Sequence, residues 1–356
     1  MHSKELLKWL NDHNLMAIAK NNFVYYRNVL KNCLNVKKEQ IVIVGDYGLP
    51  NKRVAPLMTA GYYYASKKLG LKTNLVIQEP KIKGDSADEN VIDSLKELKD
   101  ESIIILCLSN KLGKMGDIGK SFRRFSYSKG HRFVSAPGLG SMNTSKHHAL
   151  VESVGIDYNK LQQEQIKVKN ILDWGKEVNV KTKKGTNMIF YIRGRRAISN
   201  DGDYSNPGTG GNIPVGEVYI APIEKSAYGK IVIDGTIKHR WGATVVKDPV
   251  TIEVEKGKIV EIRGGFEAGL IQRTLEWASA NAKNKENVKM LGEFGIGTNP
   301  KASLIGATIV DEKVKNTAHF AFGSNYWFGG DIYSIIHIDQ IFKNPIIEVD
   351  GKRLII

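Results

Sequence analysis

Near the end of the chain, Ile335-Ile336-His337-Ile338-Asp339 alternates apolar and ionisable residues. Successive side chains of a strand point to opposite faces, so His337 and Asp339 share one face and Ile336 and Ile338 the other. An imidazole beside a carboxylate can chelate one divalent cation such as Zn, Mn, Fe or Co, or the two can simply hydrogen-bond each other. His319 lies in a second apolar stretch, Thr317-Ala318-His319-Phe320-Ala321-Phe322-Gly323. The Gly329-Gly330 pair between the two segments permits a tight reversal that would bring the imidazoles together. Two further acids enter similar surroundings: Glu293 in Leu291-Gly292-Glu293-Phe294-Gly295-Ile296-Gly297 and Glu217 in Val215-Gly216-Glu217-Val218-Tyr219-Ile220. A carboxylate is costly to bury unless it is paired or metal-bound. Two glutamates, two histidines and an aspartate in apolar strands of one half therefore point to a shared metal site. Tyr326 follows His319 in the intervening connection; its phenol can stabilise a developing oxyanion or pack as an ordinary aromatic.

The elements that must position these residues fall into two halves. The first half alternates strand and helix: a helix over 4–19, a buried strand over 40–48, a helix over 54–69 closed by Gly70, a strand over 71–77, a helix over 91–100 and a strand over 101–109. This order predicts an α/β domain with an open parallel sheet. The turn GDYGLP after the first strand lacks the glycine spacing of a dinucleotide fingerprint, and Asp46 reads as a turn residue or a ligand group. After a helical connector over 161–180, short β-rich segments dominate, with strands expected over 303–310, 317–322 and 332–342 and one helix over 266–282. This second half predicts an α+β domain with a curved or barrel-like sheet. The boundary is expected at 165/166, giving an α/β domain over 1–165 and a catalytic metal-binding domain over 166–356. The segment Asp201–Gly211 reads as a surface loop or a lid.

With 42% hydrophobic and 25% charged residues the 356-residue chain has globular composition. No apolar run is long enough to span a bilayer, and MHSKELLKWLNDHN lacks a signal-peptide core, so the cytoplasm is expected. Cys33 and Cys107 read as buried free thiols. The net charge of +15 raises the possibility of a non-catalytic nucleic-acid binder. The lysines are scattered, however, with short clusters only at Lys120–Arg132 and Arg193–Arg196, and no nucleic-acid motif accompanies them.

The segments GTNMIF, GRRA, NIPVGEVYIAP, LGEFGIGTNP, AHFAFGSNYWFGG and HID, in this order between Gly185 and Asp339, resemble the aminopeptidase T or AmpS type of metallopeptidase, peptidase family M29. The resemblance implies a metallo-aminopeptidase with two divalent ions (Zn, Co or Mn) ligated by Glu217, Glu293, His319, His337 and Asp339. It also implies a catalytic role for Tyr326, with Glu217 or Glu293 accepting the proton of a metal-activated water. A peptide or small-molecule substrate and a homodimer are expected. The connection from His319 to His337 is shorter than in the peptidases, and part of their substrate loop is missing. The same fold family resembles 2,5-dihydroxypyridine dioxygenases, whose one Fe(II) is held by two histidines and a carboxylate; His319, His337 and Asp339 would suffice for it.

Overall fold

The computed structural model describes residues 2–355. The chain divides into two compact units, Met1–Asn159 with Gly202–Val215, and Lys160–Asp201 with Gly216–Ile356.

The first unit is built on four strands, β1 (Ile41–Asp46), β2 (Thr73–Gln78), β3 (Ile103–Cys107) and β4 (Arg132–Ala136). All are paired in parallel in the order β2-β1-β3-β4. Every residue of β1 and β3 is buried, as continuous β-branched runs require when helices cover both faces of a sheet. Alternation along β2 shows the two covers. Val76 packs with Val91 and Leu95, whereas Leu75 and Ile77 pack with Leu6, Leu10 and Leu57. The expected open parallel α/β sheet is therefore present. The helix expected over 4–19 is broken at Asn14, whose φ of 58° cannot continue a helix, into His2–Asp12 and Met16–Asn21. The Asp46 carboxylate is buried and accepts bonds from Gly48 N (3.0 Å), Ser109 N (2.6 Å) and Ser109 Oγ (2.6 Å), so it ties two strand ends together as a turn residue. Cys33 and Cys107 are buried free thiols.

In the second unit, β5 (Glu177–Lys181), β6 (Asn187–Tyr191) and β7 (Ile198–Asn200) precede β8 (Gly210–Asn212). β8 pairs in parallel with β4 and so belongs to the first unit. The chain thus crosses between the units three times rather than once near 165, and part of the expected loop 201–211 is sheet edge. There follow β9 (Glu217–Ile220), β10 (Tyr228–Ile233), β11 (Thr236–His239), β12 (Gly242–Val245), β13 (Val250–Glu255), β14 (Lys258–Arg263), β15 (Leu291–Gly297), β16 (Thr317–Gly323), β17 (His337–Lys343), β18 (Ile346–Val349) and β19 (Lys352–Arg353). They form two antiparallel sheets, β14-β13-β10-β6-β5-β18-β19 and β12-β11-β17-β16-β15-β9-β7. One core joins them, with the Phe190 ring 5.1 Å from Phe294 and 5.7 Å from Phe320. The helix expected over 266–282 is present as Phe266–Asn281.

Two expected strands differ. Residues 303–307 are irregular and Thr308–Asp311 is a helical turn. Here Asp311 accepts from the amides of Ile305 (2.8 Å), Gly306 (2.8 Å) and Ala307 (3.1 Å), curling the backbone around one carboxylate. The strand expected from 332 begins only at His337. Asn325 gathers the preceding connection: Ile332 N donates to its Oδ1 (2.8 Å), and its Nδ2 donates to Gly292 O (3.2 Å).

Candidate metal centre

Four neighbouring strands, β9, β15, β16 and β17, carry the five sequence-derived ligand candidates. Directly paired residues of antiparallel strands share a face. Val218, Ile220, Phe294, Ile296, Ala318, Phe320, Phe322, Ile338 and Phe342 point into the common core. The alternate residues make the opposite face. Its rows are Glu217 with Gly297, Tyr219 with Gly295, His319 and Ile341, then Glu293 with Ala321 and Asp339, and last Gly323 with His337. The glycines of this face let neighbouring groups approach closely: a Cβ at Gly297 would lie 2.1 Å from the Val314 carbonyl and one at Gly323 2.1 Å from the Ile336 carbonyl.

Glu293 reaches this face through a bulge. The register shifts between Leu291, opposite Phe322, and Glu293, opposite Ala321. Gly292 is the extra residue: in a regular strand Leu291 and Glu293, two apart, would share a face, and the bulge lets Leu291 enter the core while Glu293 keeps the opposite face. His319 depends on Gly295, because a Cβ there would lie 2.1 Å from His319 Nε2. The imidazole therefore lies flat across a strand that has no side chain beneath it.

The groups converge around Glu293. His319 Nε2 is 3.0 Å from Glu293 Oε1 and 3.8 Å from Glu217 Oε2. His337 Nε2 is 3.4 Å from Glu293 Oε2 and 3.2 Å from Asp339 Oδ1. His337 Nδ1 donates to the Ser324 carbonyl at 2.8 Å, which fixes the tautomer and turns Nε2 toward the carboxylates. Two overlapping sets of ligand atoms result, Glu217/Glu293/His319 and Glu293/His337/Asp339, each within 4.8 Å. The residues fit a divalent cation: buried imidazole and carboxylate donors aim at common points, and Nδ1 of His319 has no partner among the described residues. His337, 21% exposed at its side chain, opens the cluster to solvent, while His319 is fully buried.

Burial alone would lower both imidazoles. The hydrogen bond and charge of Glu293, with the charges of Asp339 and Glu217, instead raise His319 to about 9. The charge and hydrogen bond of Asp339, then the charge of Glu293, raise His337 to about 10. Burial pushes Asp339 up, but the facing His337 outweighs it and holds the carboxyl well below the usual range.

Tyr326 lies outside this group. It is half exposed and stacked on Tyr333 at 4.4 Å. The aromatic neighbours of the cluster are Trp327, 5.2 Å from the His337 ring, and Phe328, at 6.1 Å and itself 5.4 Å from Tyr219. A clamp holds the segment: Arg195 donates to Gly329 O and pairs with Glu224, which also accepts from Asp331 N (2.8 Å). Gly330 makes room for Asn325, whose carboxamide a Cβ would strike at 2.1 Å. The Gly329-Gly330 pair thus serves the turn, but His319 pairs opposite Ile341, and the imidazoles meet through Glu293 rather than side by side.

Sequence reasoning missed Lys313. Its side chain is fully buried, and Nζ is bonded to Glu217 and, at 2.6 Å, to Glu312. Burial would lower this ammonium, but the two carboxylates raise it. Burial also pushes Glu312 up, to about 8, with Lys313 opposing and Glu217 and Asp339 adding. The run Asp311-Glu312-Lys313 looks like a solvated charged turn, and no local signal distinguishes it from one.

Among the described residues no helix is long and apolar enough to cross a membrane. The fold is similar to two solved structures. One is 2,5-dihydroxypyridine dioxygenase from Pseudomonas putida KT2440, with TM-score 0.71, 18% identity, and 94% of this chain and 95% of that one covered. The other is AmpT from Thermus thermophilus, with TM-score 0.62, 16% identity, and 94% and 96% covered. A curated 2,5-dihydroxypyridine 5,6-dioxygenase of Pseudomonas putida is 25% identical over 196 residues, 52% of this chain, and the match spans about half of that relative's length, 54%. A family model described as NicX: 2,5-dihydroxypyridine 5,6-dioxygenase matches residues 23–356, nearly the whole chain. Both sheets of the second unit and the complete ligand cluster fall within that match, and the chain belongs to this family of metal-dependent enzymes.

Proposed function

We propose that this chain is a mononuclear iron-dependent dioxygenase that opens a hydroxylated aromatic ring of the dihydroxypyridine type. The observation that carries the reading is the convergence of His319, His337 and Asp339 on Glu293 inside a family match of this extent. Two histidines and a carboxylate with open positions are the ligand set of non-haem iron oxygenases. Bound Fe(II) would supply the redox chemistry with dioxygen. The protein's own part is positioning. The Ser324 carbonyl orients His337, and Gly295 makes room for the His319 ring. The rings of Trp327 and Phe328 beside His337 offer flat apolar surface suited to a planar ring. Glu293, between both imidazoles, is placed to hold a proton given up by a substrate hydroxyl.

A dinuclear hydrolase that releases N-terminal residues from peptides is the second reading. It is favoured by the additional ligand set Glu217/Glu293/His319 and by the likeness in fold to AmpT. The test is to load purified protein anaerobically with Fe(II) and separately with Zn(II), Co(II) or Mn(II). Oxygen uptake and ring loss are then followed with 2,5-dihydroxypyridine, and amine release with amino-acid amides. Iron-dependent oxygen uptake matched to ring loss is expected. Amide hydrolysis without oxygen uptake would establish the second reading instead.

A further inference from the structure

Lys313 is an ammonium with no solvent exposure, in a place where burying a charge costs several kcal/mol unless strong partners compensate. Its position is determined by structure on both sides. On one side Asp311 is held by three backbone amides and by Thr236 Oγ1 at 2.7 Å. On the other, Lys313 O accepts from Asn299 N at 2.7 Å. Nζ meets Oε1 of Glu217, while Oε2 of the same carboxylate is the atom 3.8 Å from His319. Of the two overlapping ligand sets, the one containing Glu217 has an ammonium of the chain bonded to it; the set Glu293/His337/Asp339 has no lysine or arginine in ion-pair contact among the described residues, and Lys238 acts on Asp339 only through its charge.

We infer that Lys313 is a built-in cation that occupies the electrostatic role of a second metal, engaging Glu217 and holding the centre to a single ion bound by His319, His337 and Asp339. The inference rests on the metal-site reading above and deepens it. A second divalent ion near Glu217 would have to displace the ammonium or bind beside it. Like charges a few ångströms apart in a buried site repel strongly, so the second site is closed while Lys313 is present. Removing the ammonium leaves Glu217 and Glu312 as adjacent buried carboxylates, which favours entry of another cation.

The test uses the full chain and Mn(II) alone as probe, with bound metal counted by elemental analysis after equilibrium dialysis and the spin state read by electron paramagnetic resonance. The wild type is expected to bind one ion per chain with the hyperfine pattern of an isolated Mn(II). Lys313→Met and Lys313→Gln are expected to bind a second ion, with the signature of a coupled pair; Lys313→Arg keeps the charge and should still bind one. Two ions in the wild type, or a single ion of unchanged affinity in both neutral variants, would overturn the inference while leaving the metal site intact. If the neutral variants do not fold, the wild-type and Lys313→Arg counts still decide, two ions in either being contrary. No Mn(II), Fe(II) or Zn(II) bound by the wild type would remove the metal-site reading itself.

Discussion

Single atoms decide the chemistry at this centre. Because His319 lies over Gly295, Gly295→Ala should displace the ring without disturbing a backbone conformation that alanine can adopt. Moving one ligand or its support typically costs about 10–100-fold in metal affinity. We expect a loss of that size in Mn(II) binding, measured by calorimetric titration, with an unchanged far-ultraviolet dichroism spectrum; unaltered affinity would mean that His319 is not a ligand. Protons are the other occupants of the imidazoles. With His319 at about 9 and His337 at about 10, the metal-free protein carries both protons at neutral pH. A bound cation must expel them, so affinity should rise as pH increases from neutrality toward about 9, with proton release visible in buffers of different ionisation enthalpy. Stability of the metal-free protein runs the other way. Both groups hold protons more tightly folded than unfolded, so their contribution is complete below the unfolded value of about 6.5 and is lost as pH rises through about 9 and about 10. Denaturant titrations of metal-free protein that show no decline over that interval would contradict the assignment.

At the scale of elements, the site face depends on strict alternation interrupted once. His337 and Asp339, and likewise His319, reach this face by period two from residues whose neighbours fill the core. Glu293 alternates with Gly295 and Gly297, and the bulge at Gly292 lets Leu291, two residues before Glu293, turn into the core instead of sharing its face. Gly292→Ala should disturb this bulge, because a Cβ there would lie 2.6 Å from the Gly323 carbonyl. Moving the support of a ligand typically costs about 10–100-fold in metal affinity, so the substitution is expected to lower both the denaturation midpoint and Mn(II) affinity. Retention of both would show that the bulge does not position Glu293. The alternation around His337 was legible in Ile336-His337-Ile338-Asp339. The bulge was not, because a glycine flanking an acid is equally compatible with a regular strand.

For the whole molecule, the cluster is a source of stability as well as of chemistry. Lys313 meets Glu217 and Glu312 while His319 and His337 meet Glu293 and Asp339, so a bound cation takes the place of the imidazole protons among these carboxylates. Mn(II) at about 100 times its dissociation constant should stabilise the native state by about 2.7 kcal/mol, read as a rise in the melting temperature that a chelator reverses; an unmoved transition would contradict a native metal site. Some of the 52 lysines and arginines are used inside the fold. Arg132 is buried and paired with Glu39, Arg195 is paired with Glu224, and Lys313 belongs to the centre. Each is matched by a carboxylate, so these cations add nothing to the net charge of +15.

Periodicity and composition were enough to read a parallel α/β half, a β-rich half, and five ligand candidates lying in apolar strands, because alternation and residue type are local properties. The family resemblance, not periodicity, pointed to an iron alternative through His319, His337 and Asp339. Tertiary structure alone decided which atoms meet: Glu293 as the hub, Trp327 rather than Tyr326 beside His337, and Lys313 against Glu217. Those contacts join residues up to 96 positions apart across paired strands, and a charged turn such as Asp311-Glu312-Lys313 acquires its burial only when the strands around it close.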